Sequence, residues 1–413
     1  MAISEIEFVN ALQEAGGNVY IVGGFVRDLL RGVRPKDKDY CVEGVEEETF
    51  CRLFPKAEKV GRAFPVYLLR IDGDMCEVAF ARKEKKIGGG YHGFAAKYDP
   101  TVTIAEDLFR RDTTINAMAL KLPQREIIDP YGGRADTERK IIRPVSRHFA
   151  EDPVRALRAA RQAAEFQFAV DKTTFLYMHE CAAELKNEPQ ERLWHELSLA
   201  LAVPCPSLFF ACLRDANVLD IVFPEIFDLI GKTQPKEYHP EGDAFNHSMI
   251  VLDKTAAATA NPLARFAALV HDIGKGATAK SMLPHHYGHD KEGLLVLARW
   301  NTRMKIPRNF KKAANLVIAE HMRAHTLKHA EKKIELLLKI AASPLPIAEF
   351  NAVLAADHGE GELPLYLREG EELTARLLSV HGEDAPKELR GEQIGLWIKQ
   401  QRTKIIKNFE GGQ

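Results

Sequence analysis

The sequence predicts an α+β protein, an α/β head followed by an all-α body. Residues 19–42, VYIVGGFVRDLLRGVRPKDKDYCV, read as strand, glycine turn, helix and second strand. Strand-and-turn patterning continues to about residue 130, whereas from about residue 146 apolar residues recur at helical spacing almost to the end. A chain of 413 residues has length for two to four domains, each with a buried core. The pattern divides it into a head at 1–145, a helical neck and body at 146–235, a histidine-rich domain at 236–362 and a helical tail at 363–413.

In chain order, residues 3–16 carry apolar positions at helical spacing and stop at Gly16-Gly17, which predicts a capping helix. Residues 19–22 are a short apolar run ending in Gly23-Gly24, and residues 25–30 continue as one helical face around Arg27 and Asp28. Paired glycines let a backbone approach a ligand, and the N–H groups at the start of the following helix suit phosphate. Asp37 and Asp39 open the second apolar run, and residues two apart on a strand share a face. Two such carboxylates can hold divalent metal; in a two-metal site the ions lie about 3.5–4 Å apart. Each half also has a bland reading, a plain turn and a solvated acidic loop. Their joint order within one short stretch points to nucleotidyl transfer.

Residues 63–71 and 76–81 read as strands, with Glu77 either a third carboxylate near the pair or a polar residue on an edge strand. Residues 82–98, RKEKKIGGGYHGFAAKY, are basic, glycine-rich and aromatic, which predicts a mobile functional loop or a solvated insertion. Arg110, Arg111 and Asp112 precede an expected apolar helix. They suit a triphosphate through forked, charge-assisted hydrogen bonds, or form a helix-starting salt-bridge cluster. Residues 130–145, PYGGRADTERKIIRPV, read as a turn and a polar link. Beyond it, Asp152 ahead of Pro153 makes a good helix start, and Asp152, Arg155 and Arg158 recur at threes on one face. A capped helix with solvated arginines explains these residues. So does a base-reading pair, in which a carboxylate accepts from the exocyclic amine of cytosine or adenine while an arginine donates to the ring acceptor beside it. Guanine and uracil present an acceptor where the amine would be, so such a pair rejects them.

The composition, 46% hydrophobic and 28% charged, is that of an ordinary soluble protein. A net charge of −1 gives no general attraction to polyanions, so any nucleic-acid surface is a local patch. Six cysteines without a C-x-x-C pair argue against a zinc ribbon or disulfide scaffold and for a reducing, cytoplasmic setting. No apolar stretch approaches about 18 residues and the N-terminus has no apolar h-region, so no membrane span or signal peptide is expected. Oligomeric state stays open.

GGFVRD with DKD, then RRDTTINA, DPYGGRAD, EDPVRALRAAR and ERLWHEL at 191–197 come in an order that resembles the tRNA nucleotidyltransferases that add or repair the CCA end. The resemblance is to their bacterial type, a branch of the polymerase-beta-like nucleotidyltransferases that also holds bacterial poly(A) polymerases, and it covers essentially the whole chain. It implies a polymerase-beta-like head in which Gly23, Gly24 and Arg27 form the nucleotide-phosphate site and Asp37 and Asp39 are catalytic Mg²⁺ ligands. Arg111, Asp112 and Asn116 resemble the second nucleotide motif, with Arg111 on phosphate. Asp152 and Arg155 resemble the amino-acid template that reads CTP and ATP, and Arg158 and Arg161 are similar to further nucleotide contacts. Residues 82–98 resemble the flexible loop used in switching from C to A. VGRAFPVYL at 60–68 departs from the G-R-R-F-x-L-x-H-like element of the poly(A) branch, and Gln162 stands where the family usually has Phe.

The second half carries a histidine set: His247, His271-Asp272 at the end of an apolar helix, His285, His286 and His289, His321 and His325, then Asp357. Single histidines in helices are mostly core or surface residues, but imidazole and carboxylate in this order suit Mn, Fe, Ni, Zn or Mg. The array resembles the HD phosphohydrolase superfamily, in which His247, His271, Asp272 and Asp357 match the core metal ligands and His289 and His321 the extra ligands of fuller variants. Its implied cofactor is a transition metal such as Ni²⁺ or Mn²⁺. Lys275 either contacts phosphate or caps a helix end. Basic residues are dense at 303–333 and 402–407, as a tRNA surface or a solvated face requires.

The resemblance implies addition of CCA to the tRNA 3' end from CTP and ATP with release of pyrophosphate, together with HD-domain phosphatase, 2'-nucleotidase and 2',3'-cyclic phosphodiesterase activity. An A-adding enzyme or poly(A) polymerase, and a tRNA-binding protein without catalysis, stand as alternatives.

Overall fold

The computed structural model describes residues 3–60, 65–86, 94–358 and 363–411. The chain forms two compact units, Met1–Leu193 with Leu208–Val222, and Trp194–Ser207 with Phe223–Gln413.

In the first unit, Ser4 and Glu7 cap α1 (Glu5–Glu14) reciprocally, and the helix buries Phe8, Val9 and Leu12. There follow β1 (Asn18–Val22), α2 (Gly24–Leu30), β2 (Asp39–Glu43), α3 (Glu47–Leu53), β3 (Glu58–Val60), β4 (Val66–Ile71), β5 (Asp74–Phe80), β6 (Arg82–Lys86), β7 (Phe94–Tyr98), α4 (Ile104–Phe109), β8 (Ala119–Leu122), β9 (Glu126–Ile128), α5 (Gly133–Arg139), β10 (Ile141–Ile142), α6 (Val154–Phe166), β11 (Ala169–Val170), α7 (Lys172–Cys181), α8 (Gln190–Leu201), whose residues from Trp194 on belong to the second unit, α9 (Ser207–Asp215) and α10 (Leu219–Val222). Seven strands form one mixed sheet in the order β3-β4-β5-β2-β1-β8-β9. The strand–helix–strand at its centre returns antiparallel, because β2 pairs antiparallel with β1 and parallel with β5. Alternation along β1 explains its unbroken apolar run. Val19 and Ile21 join a cluster with Phe8, Tyr40 and Phe50, while Tyr20 and Val22 join another with Cys41, Val102 and Leu108.

Three segments differ from the sequence expectation. The described ends of residues 82–98 are not loop but an antiparallel ladder, β6 with β7; the glycines that read as a loop fall between its arms, and residues 87–93 lie outside the described residues, as do 61–64 in the stretch that separates the poly(A) branch. After Asp112 there is no apolar helix but a 3-10 turn, Thr114–Asn116, and then β8. Its apolar residues alternate between two clusters, Met118 and Leu120 in one and Ala117 and Ala119 in the other, which is strand periodicity. The expected polar link at 130–145 contains α5, opened by the Asp129 carboxylate, which accepts from the N–H groups of Gly133 and Arg134 at 2.7 and 2.9 Å.

The second unit is helical among its described residues: α11 (Pro224–Phe227), α12 (Ala244–Ala258), α13 (Pro262–Val270), α14 (His289–Arg303), α15 (Arg308–Ala324), α16 (Ala330–Ala341), α17 (Ile347–His358), α18 (Leu365–Arg368), α19 (Gly370–Leu378) and α20 (Glu392–Gly411). Tyr366, Leu373, Leu377 and Ile406 of the tail share one core with Ala268, Val317, Leu336 and Phe350. The tail is therefore part of what holds the histidine-bearing helices in place. No helix among the described residues is long and apolar enough to cross a membrane.

Candidate functional site

The sheet of the first unit brings three carboxylates together. Asp39 stands opposite Val22 across β1 and β2 and opposite Glu77 across β2 and β5. Asp37 lies in the extended segment just ahead of β2, exposed like Asp39. Because β5 is interior to the sheet, the edge-strand reading of Glu77 gives way to one beside the acidic pair. Partial loss of solvent, then the charge of Glu77, and in smaller part that of Asp37, hold the Asp39 carboxyl above the ordinary range against the pull of Arg111. A set of oxygen donors with mutual repulsion fits a hard divalent cation.

The glycine turn sits one residue beyond Val22. Gly23 has φ +71°, and a Cβ there would come 3.2 Å from Arg111 Nη1, so the bare backbone admits the guanidinium. Gly24 opens α2, which carries Arg27. Arg27 donates from Nε and Nη2 to the Asp28 carboxylate, both at 3.0 Å, and from Nη1 to Asn116 Oδ1 at 2.7 Å, and its guanidinium lies 4.3 Å from the Phe166 ring centroid. Arg111 donates to Asp107 Oδ2 at 3.2 Å and to the Asn116 carbonyl at 3.4 Å. Asp107, 1% exposed, also accepts from Arg110 at 2.7 Å. Burial alone would raise its carboxyl; Arg110 and Arg111 lower it.

Helix α6 closes on the same array. Asp112 is 5% exposed and fully engaged: Oδ1 accepts from the Thr113 N–H at 2.8 Å and Asn116 Nδ2 at 3.3 Å, Oδ2 from Arg158 Nε at 3.0 Å and Gln162 Nε2 at 3.1 Å. Against its burial, Arg158 and Arg155 hold this carboxyl far below the usual range. Asp152 accepts from the Val154 N–H at 3.2 Å just ahead of α6, whose capping residue is Pro153 and not, as the sequence predicts, Asp152; its two oxygens also receive Arg192 Nη2 at 3.1 and 2.9 Å. Arg155 is pinned by donation to the carbonyls of His148 at 2.7 Å and Arg110 at 2.8 Å. Arg161 pairs with Glu165 at 2.9 Å. Nothing in the sequence marks Asp28, Asp107 or Arg192 as partners, because single charges carry no local signal of the contact they make across a fold.

In the second unit, four imidazoles point their Nε2 atoms at two aspartates. His247 on α12 lies 3.0 Å from Asp357 Oδ1, on α17, and 3.7 Å from Asp272 Oδ2; His271, just past α13, lies 3.3 Å from Asp272 Oδ2; His289 on α14 and His321 on α15 lie 3.2 and 3.4 Å from Asp272 Oδ1. Each ring is oriented from behind through Nδ1: His247 by Glu241 at 2.7 Å, His271 by the Ala268 carbonyl at 2.8 Å, His289 by the His286 carbonyl at 2.8 Å and His321 by the Val317 carbonyl at 3.0 Å. Donation there fixes the tautomer with a lone pair on Nε2, the form that ligates metal. The buried Asp272 Oδ1, His289 Nε2 and His321 Nε2 have no hydrogen-bond partner, so these donors fit a divalent cation. Groups His247, His271 and Asp272, and Asp272, His289 and His321, each present ligand atoms within 4.8 Å of one another.

Lys275 and His271 hold the Asp272 carboxyl well below the usual range despite its burial, and Asp357 and Asp272 raise His247 against the opposite effect of burial. Lys275 neither caps α13 nor stands exposed: it is buried, paired with Asp272, and donates to Gln234 Oε1 at 2.6 Å. Gly274 lets the turn approach α14, since a Cβ there would sit 2.0 Å from the His289 carbonyl. His285 stacks on Tyr287, and His286 binds Thr278 and the Thr233 carbonyl, so neither joins the cluster. His325 packs against His358 with ring centroids 4.0 Å apart. Several basic residues read as a surface are engaged internally, Arg303 with Glu225, Arg323 with Glu320, Lys333 with Glu410 and Arg402 with the Leu377 carbonyl.

Three stretches of the chain match families of known proteins. Residues 19–143 match the Poly A polymerase head domain, 167–230 the probable RNA and SrmB-binding site of polymerase A, and 244–347 the HD domain. Head and cluster together define a polymerase-type nucleotidyltransferase joined to an HD domain. The chain is 39% identical over 416 residues to the multifunctional CCA protein of Xylella fastidiosa, covering 95% of this chain and 98% of that one, and 39% identical over 412 residues to that of Nitrosococcus oceani, covering 94% and 98%. It belongs to the multifunctional CCA protein family. Among solved structures, an apo CCA-adding enzyme aligns with a TM-score of 0.63 at 22% identity over 98% and 94% of the chains. The Thermotoga maritima CCA-adding enzyme complexed with tRNA aligns at 0.57 and 22% over 96% and 88%. These two likenesses speak of the fold.

Proposed function

We propose that this chain adds and repairs the 3'-terminal CCA of tRNA from CTP and ATP, releasing pyrophosphate, and that its HD domain hydrolyses phosphate esters, including 2',3'-cyclic phosphates and 2'-nucleotides. The observation that carries the first activity is the single hydrogen-bonded array from Arg27 through Asn116 and Asp112 to Arg158, in the same unit as Asp37, Asp39 and Glu77. Arg27 and Arg111 grip the triphosphate, each guanidinium already oriented by a carboxylate or amide so that little freedom is lost on binding. Asp152 accepts from the exocyclic amine of the base while Arg155 donates to the neighbouring ring acceptor; Arg192 and the two carbonyls hold the pair in place. Arg158 and Arg161 extend this face of α6. Asp37 and Asp39, with Glu77, would hold Mg²⁺, which when bound neutralises the reacting phosphate. The tRNA 3'-hydroxyl attacks the α-phosphate, a new phosphodiester forms, and the bond to pyrophosphate breaks.

In the HD domain, His247, His271, Asp272 and Asp357 would hold one transition metal such as Ni²⁺ or Mn²⁺, with His289 and His321 available for a second. Lys275 neutralises the Asp272 charge and leaves the imidazoles to face the cation. A reducing, cytoplasmic setting is the one that six cysteines without a C-x-x-C pair favour.

The test is incubation of the protein with Mg²⁺ and tRNA transcripts lacking CCA, CA or A, with CTP, ATP or both. Growth of the first by CCA and no further supports the proposal. Growth of the third transcript alone would make this an A-adding enzyme, and long A tails on all three would make it a poly(A) polymerase.

A further inference from the structure

We propose that Gln162 is a positioning residue for nucleotide selection, fixing the Asp112 carboxylate and, through it, the reach of the Arg158 guanidinium. This inference rests on the nucleotide-transfer reading of the head. Gln162 lies on α6 one turn beyond Arg158, on the same face, and is 1% exposed. Its amide has one orientation open to it. The ionised Asp112 only accepts, so it takes Gln162 Nε2, at 3.1 Å, and the Thr113 hydroxyl donates to Gln162 Oε1 at 2.8 Å. Both polar ends of a buried side chain are thereby bound to the segment that carries Arg111 and Asn116.

The decisive feature is sharing. Gln162 Nε2 and Arg158 Nε donate to the same oxygen, Oδ2 of Asp112, while Oδ1 serves Thr113 and Asn116. Arg158 thus meets Asp112 through Nε at its buried end, and its side chain stays 45% exposed. With the amide removed, that oxygen has lost one of its two donors, and the charged guanidinium that remains on it closes in on the carboxylate. Arg158 is then drawn down onto Asp112 and away from a bound nucleotide. The same carboxylate reaches Arg27 through Asn116, so the effect extends to the triphosphate side.

The experiment compares the full-length parent with Gln162→Leu and Thr113→Val on the transcript lacking CCA, measuring KM and kcat for CTP and ATP, incorporation of UTP relative to CTP, and thermal melting. Gln162→Leu is expected to raise both KM values about tenfold with kcat nearly unchanged, and to lower the preference for CTP over UTP by about tenfold. Thr113→Val, which releases only the amide oxygen, should move the same quantities less. A lower melting point with unchanged KM and base preference in both variants would mean a structural role alone and overturn the inference. If Gln162→Leu does not fold, Thr113→Val decides by the same readout. A parent protein that adds no nucleotide overturns the nucleotide-transfer reading, and this inference with it.

Discussion

Asp39 and Glu77 stand directly opposite one another where β2 runs parallel to β5. Two like charges held at neighbouring backbone positions repel unless a cation lies between or beside them. Glu77→Gln is therefore expected to raise the half-saturating Mg²⁺ concentration for nucleotide addition about tenfold. Asp37→Ala should abolish addition while tRNA binding, followed by gel shift, stays nearly intact. Addition retained by Asp37→Ala would remove the metal-binding assignment.

In the HD domain, Glu241 Oε1 lies 2.7 Å from His247 Nδ1 and 3.0 Å from His239 Nδ1. It orients His247 from behind, so Glu241→Gln should weaken metal binding about tenfold, measured by competition with a chromogenic chelator. Asp272→Ala should abolish cyclic-phosphate hydrolysis. Both variants should add CCA at the parental rate; unchanged hydrolysis by Asp272→Ala would move that activity elsewhere.

Arg192 contacts both oxygens of Asp152 and pairs with Glu188 on its other side. Arg192→Ala leaves Asp152 to rotate, and base discrimination is expected to fall about tenfold in kcat/KM for CTP against UTP. The readout is competitive incorporation with both nucleotides present.

Asp112 gives a pH signature. Its folded carboxyl titrates below the usual value of 3.8, chiefly because Arg158 and Arg155 outweigh burial. A depressed acid contributes its full stabilisation above its unfolded pKa and loses it as pH falls through the folded one. Asp112→Asn should cost about 2 kcal/mol at pH 7 in denaturant unfolding, low in the usual range because Arg158 is half exposed. The gap to the parent should narrow below about pH 4. A gap independent of pH would show that the charge itself contributes nothing.

Much of this arrangement was legible in the chain because it is local. Gly23 and Gly24 after an apolar run, Asp37 and Asp39 before another, and Asp152 ahead of α6 all declare themselves through backbone conformation or spacing of one or two residues. The helical period of the second half and the order of its histidines were equally visible. Other segments are not legible because one signal mimics another. The run ending in β8 is apolar on both faces of a sheet and so resembles a helix, and β6 and β7 are hidden by the glycines between them.

By itself, then, the sequence determined the α+β division, the strand–turn–helix with its acidic pair, and the histidine set, since short-range sterics and hydrophobic periodicity act between near neighbours. Only the tertiary structure decided that Glu77 faces Asp39, that Arg192 holds Asp152, that Gln162 and Arg158 share one oxygen of Asp112, and that Glu241 stands behind His247. Those pairings are contacts between charged or polar groups on separate elements. Hydrogen bonding requires a partner within about 3 Å, and which groups come that close is set by sheet order and helix packing, not by any pattern along the chain.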